Sequence, residues 1–75
     1  MYKPKAEVSA TQVDVSRFGF TKPEQWQPLL DKLKSPNMRV ASADHAVIYL
    51  KPSTITTEQA VEILTESGFE VARVG

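Results

Sequence analysis

The chain has no cysteine and a single histidine. Without thiols there can be no disulfide, thiol nucleophile, iron–sulfur cluster or thiolate zinc site. One imidazole also removes the histidine-rich metal centres, so neither a metal nor a cofactor is expected. Glycine is scarce, at three residues. That is too few for the glycine-rich turns that cradle phosphates, and no such motif is present. An excess of one charge is lacking too, since nine Lys and Arg balance nine Asp and Glu. Zero net charge supplies no long-range pull toward nucleic acid or an anionic membrane. Long hydrophobic runs are missing: the longest, Ala46-Val47-Ile48-Tyr49-Leu50, is far shorter than a bilayer span. The first residues, Met1 to Glu7, do not read as a secretory signal. A cytoplasmic location is the expectation.

What is present suits a folded domain. Hydrophobic residues make up 41% and charged residues 24% of 75 positions, which is one small domain's worth of chain. Residues 1–10 read as a tail or as a weak strand around Val8, and residues 11–75 as the domain. Val13 and Val15 alternate with Gln12, Asp14 and Ser16, a period of two that specifies a strand. Thr21-Lys22-Pro23-Glu24 has the capping-box spacing. Trp26, Leu29, Leu30 and Leu33 then follow at i, i+3, i+4 and i+7, the apolar stripe of a helix. Pro28 lies within that stripe; it either kinks the helix or marks a later start.

Met38 and Val40 alternate with Arg39 and Ala41, and Ala46, Ile48 and Leu50 alternate with Val47, Tyr49 and Lys51. These are two strands of a hairpin. A three-residue loop, Ala43-Asp44-His45, would pair Val40 with Ile48 and Met38 with Leu50, keeping apolar residues on one face. Thr56-Thr57-Glu58-Gln59 is a second capping box, with Ile55 placed to staple onto Ala60. Ala60, Ile63 and Leu64 form its stripe. Gly68 and Phe69 follow as a left-handed cap and its apolar contact. Phe69, Val71 and Arg73 alternate with Glu70, Ala72 and Val74 in a last strand.

Strand, helix, strand, strand, helix, strand in so short a chain specifies the α+β class. The expected architecture is the ferredoxin-like βαββαβ sandwich. Both helices, near 22–34 and 57–67, would cover one face of a four-stranded antiparallel sheet, in the order 4-1-3-2. The expected core is Val13, Val15, Trp26, Leu29, Leu30, Leu33, Met38, Val40, Ile48, Leu50, Ala60, Ile63, Leu64, Phe69 and Val71.

Val47-Ile48-Tyr49-Leu50, the stretch Ile55 to Leu64, and Gly68-Phe69-Glu70-Val71 resemble the second half of heavy-metal-associated domains. The likeness spans residues 47–74 and implies the same ferredoxin-like fold. That family holds its metal in a Cys-x-x-Cys pair between the first strand and first helix. Here that region reads Phe18-Gly19-Phe20-Thr21-Lys22-Pro23-Glu24, so the resemblance implies no metal ligand.

Candidate chemical groups are few. His45, beside Asp44 in the expected turn, has no second histidine to complete a metal site and reads as a polar turn residue. Glu58, Glu62 and Glu66 repeat every four residues and read, with Glu70, as a solvated face, Glu58 favoured by the helix N-terminus. The serines have no nucleophile-elbow setting, so catalysis is not expected. Trp26 reads as core.

The sheet face opposite the helices is therefore the expected working surface. It would carry Asp14, Ser16 and Phe18; Arg39 and Ala41; Val47, Tyr49 and Lys51; and Glu70, Ala72 and Val74. From these, Phe18, Arg39, Val47, Tyr49, Lys51 and Val74 are expected to bind a partner, with Tyr49 as anchor. The outer strands at 38–42 and 69–74 offer a second route, by main-chain pairing. The function expected is a non-catalytic interaction or regulatory module, an adaptor or inhibitor, whose partner is another protein or its own copy. RNA or single-stranded nucleic acid stacking on Phe18 and Tyr49, and a small-ligand sensor, are the alternatives.

Overall fold

Lys5-Ala6-Glu7-Val8 alternates polar and apolar, and it forms a strand rather than a tail. The computed structural model describes residues 3–74; Met1, Tyr2 and Gly75 of the expected segments lie outside them. The elements run β1 (Lys5–Val8), β2 (Gln12–Ser16), α1 (Pro23–Leu33), β3 (Met38–Ser42), β4 (His45–Tyr49), α2 (Thr57–Glu66) and β5 (Glu70–Arg73). The α+β class is as expected. The four-stranded antiparallel sheet is not: the sheet has five strands in the order β3-β4-β2-β1-β5, and β1 runs parallel to β5.

The correction is a single insertion. With β1 set aside, the remaining strands keep the expected order and directions. β1 forms a hairpin with β2, pairing Val8 with Val13 and Ala6 with Val15. Its other edge takes β5, with Ala6 beside Val71 and Val8 beside Arg73. It is thus an interior strand. Ala6 and Val8 are 1% and 0% exposed, and they join the core together with Phe20, Ala46 and Ile55, none of them among the expected core residues.

The helices arise from their ends inward. α2 carries the full capping box: the Gln59 amide donates to the Thr56 hydroxyl and the Thr56 amide to the Gln59 side chain. Ile55 and Ala60 are buried beside it. At its far end the Gly68 amide donates to the Thr65 carbonyl and the Phe69 amide to that of Leu64, with Gly68 at φ +91°. That pairing is the left-handed cap. The first capping box does not form. Lys22 occupies the N-cap of α1 with no side-chain cap, and Pro23 takes the first turn, where its lost donor costs nothing. α1 runs unbroken through Pro28.

The β3–β4 hairpin keeps the expected parity but not the expected pairs. Met38 faces Ile48 and Val40 faces Ala46, while Ser42 faces His45. The loop is the two-residue turn Ala43-Asp44, and an irregularity between Val40 and Ser42 absorbs one residue. That bulge restores the apolar alignment that a two-residue turn would otherwise lose.

Both helices lie on one face over a single core. α2 packs on β1 and β5, and α1 against α2. Two helices about 10 Å apart cover roughly four strands at about 4.8 Å spacing. Inserting β1 makes five, so the fifth is left uncovered. Val40, expected in the core, is on the helix side of β3 yet 49% exposed, whereas Ala46 opposite it is fully buried.

Candidate interaction surface

Backbone pairing sets out the open face row by row. One row crosses Arg39, Val47, Asp14, Glu7 and Ala72, and the next crosses Ser42, His45, Ser16, Lys5 and Glu70. β1 therefore brings Lys5 and Glu7 into the face. Ala72 and Val74 sit three strand spacings, roughly 14 Å, from Val47 and Tyr49. The face is polar through its middle, and the expected partner residues do not form one patch.

Arg39, Val47 and Tyr49 do cluster, on the adjacent strands β3 and β4, with Arg39 directly across from Val47. Val74 stands apart beyond β5 and is 57% exposed. Lys51 lies past the end of β4, exposed, its carbonyl accepting from the Thr54 and Ile55 amides in a turn. Phe18 leaves the face altogether. Arg17 takes a left-handed φ of 60°, which ends the alternation of β2 and turns the next side chain toward the helix layer. There the Phe18 ring sits 5.1 Å from that of Phe69 and 5.4 Å from that of Phe20. Trp26 is half-buried against the core, as expected.

Polar groups on the face pair locally. His45 is the first residue of β4 rather than a loop residue, and its Nε2 meets the Asp14 carboxylate on β2. Asp44 instead accepts from the Ser42 hydroxyl at 3.0 Å. On the other side of the sheet Arg73 reaches Glu58 at 3.1 Å, both exposed. The backbone amide of Glu58 and then the Arg73 guanidinium hold the Glu58 carboxyl below the usual carboxylate range. Among the described residues no group of three His, Cys, Asp or Glu side chains could hold a metal ion. No helix among them is long and apolar enough to cross a membrane.

The strand expected at the sheet's edge over 38–42 is there: β3 has a neighbour on one side only. The Tyr49 amide donates to the Asn37 carbonyl at 3.2 Å, which makes that pair a hydrogen-bonded one. Antiparallel ladders alternate, so Arg39 turns its main-chain groups toward β4, while Met38 and Val40 turn theirs outward. The edge thus offers free donors and acceptors, with Met38 and Val40 on its helix side and Val47 and Tyr49 one strand in on the other. A groove of about 260 Å³ between the helices is lined by Lys32, Lys34, Ile55, Gln59, Ile63 and Glu66, among others. Its rim carries both signs of charge, and no buried polar side chain among the described residues lacks a partner.

The sheet and this edge define a small α+β domain with one bare strand. Compared with family models, curated proteins and solved structures, the chain finds no match.

Proposed function

We propose that this chain is a non-catalytic binding module that engages a partner protein by strand addition at β3. The supporting observation is the exposure of β3 from Arg39 to Ser42 on a strand whose outer main-chain groups at Met38 and Val40 are unpaired within the sheet. An added strand would satisfy those groups and bury apolar surface on both sides, Val40 above and the Val47–Tyr49 pair below. At the opposite edge β5 is shorter, bounded by the charges of Glu70 and Arg73, and Arg73 is held by Glu58. Charges of this kind are what blunt an edge. A regulatory or inhibitory role would follow from occupying a partner's own sheet edge. The nucleic-acid alternative needs Phe18 and Tyr49 side by side, and the fold parts them.

Val40→Pro tests the proposal. The Val40 amide points away from β4, so proline there removes an outward donor without breaking the β3–β4 ladder. Wild-type chain on a column should retain a particular protein from native lysate that the variant releases, with unchanged circular dichroism. Retention of the same proteins by both chains overturns the reading.

A further inference from the structure

We infer that the groove between α1 and α2 binds a small zwitterion of dipeptide size with an apolar side chain. The groove lies in the helix layer, and the inference does not rest on the strand-addition reading. Its volume is about 260 Å³, whereas a cavity of roughly 150 Å³ takes up a benzene ring. Its two walls carry opposite charge. Lys32 and Lys34, at the C-terminal end of α1, are on one side; Glu62 and Glu66, one turn apart on α2, are on the other. Ile55 and Ile63 supply the apolar lining. Among the described residues, none of the four charged side chains makes an ion pair or a hydrogen bond.

Positions on both walls run against the preferences of their own helices. Lys34 closes α1 at φ 54°, a conformation that glycine takes without strain and a side chain does not. Glu62 and Glu66 set like charges at i and i+4, which weakens a helix. Glu66 also ends α2, whose last turn holds no basic residue, and the helix dipole disfavours a negative charge there. Local preferences broken without a compensating side-chain contact are expected where a site is favoured over stability. The charges then set the ligand. Walls whose opposite charges do not meet are bridged by a molecule whose own charges stand apart. An extended dipeptide separates its ammonium from its carboxylate by roughly 7 Å, whereas a free amino acid holds both on one carbon. The carboxylate would meet Lys32 and Lys34, the ammonium Glu62 and Glu66, and a branched apolar side chain would cover Ile55 and Ile63. All four charged residues are exposed, so each contact is weak and the expected affinity is about millimolar.

Alanyl-leucine is the probe, titrated into the isotope-labelled chain and followed by two-dimensional amide NMR. Saturable shifts should centre on Lys34, Ile55 and Ile63. N-acetyl-alanyl-leucine lacks the ammonium and alanyl-leucinamide lacks the carboxylate; each should bind about fivefold more weakly. Lys34→Gly should weaken alanyl-leucine by about threefold while alanyl-leucinamide binds no more weakly than before. Glu62→Gln combined with Glu66→Gln should weaken alanyl-leucine likewise and spare N-acetyl-alanyl-leucine. Such matched losses isolate each pairing. Lys34→Gly relieves the strained helix end, so its loss of binding cannot come from unfolding; circular dichroism checks the glutamine variant. Four results overturn the inference: no saturable shift up to about 20 mM, well above the expected affinity; saturable shifts centred outside the groove; capped peptides that bind as well as alanyl-leucine; or variants that weaken capped and uncapped peptides alike. Leucine binding as tightly as alanyl-leucine overturns the dipeptide spacing.

Discussion

Replacing Val8 by alanine is the sharpest test of the sheet order. In the structure Val8 has no solvent exposure, lies opposite Val13 on β2 and pairs with Arg73 on β5. Alanine removes two methyl groups, about 1.6 kcal/mol at roughly 0.8 kcal/mol for each. The vacated space, if the strands cannot close on it, adds up to about 1 kcal/mol at roughly 24 cal/mol per Å³ over about 40 Å³. Closure is restricted because β1 is held on both edges by main-chain pairing. The expected loss is therefore about 2–2.5 kcal/mol. For a domain of this size that lowers Tm by roughly 8–20 °C. Urea unfolding followed by circular dichroism and by Trp26 fluorescence measures it, with an unchanged slope showing that the same surface is exposed. Val40→Ala serves as the control, since half of that side chain is already in water. A Val8→Ala loss within about 0.5 kcal/mol, the range of surface changes, would mean that β1 is not interior and that the sheet has four working strands.

Other substitutions probe the helix ends. Thr56→Ala deletes the hydroxyl half of the α2 capping box and should cost about 1 kcal/mol in the same urea assay. Lys34 closes α1 at φ 54°, a conformation that costs a side chain roughly 1 kcal/mol and glycine almost nothing, so Lys34→Gly should raise stability. Glu58→Gln tests the Glu58–Arg73 contact by its pH dependence. The folded carboxyl is held below its ordinary range, so its contribution is complete above that range and disappears as pH falls through the depressed value. Wild type should lead the variant slightly at neutral pH, less in high salt because both groups are exposed, and the two melting curves should converge in acid.

How far the chain could be read before folding depends on how local each feature is. The second capping box, the Gly68 cap, the α2 stripe and the alternation of β2 and β4 lie within a few residues, and all of them appear in the structure. A box pattern alone did not suffice at α1, where Pro23 and a Lys22 N-cap took over the start. β1 carries the same period-two alternation, but one of its two apolar positions is alanine and Pro4 precedes it, so its apolar signal is too weak to mark an interior strand. Its pairing with both β2 and β5 is a non-local matter, decided by which edges remain unpaired once the sheet assembles. The loss of the continuous apolar face and the uncovering of Val40 both follow from that insertion. Phe18 shows the same limit: one left-handed residue, Arg17, ends the alternation of β2 and turns Phe18 to the other side, and nothing in the local pattern marks Arg17 for that conformation. Sequence periodicity by itself determined the two helices and the strands β2 to β5, and which side chains share a face within each unbroken element, because those depend on backbone period. Only the tertiary structure decided which strand stands beside which, and so which edge is left bare, because two helices can cover about four strands and the chain makes five.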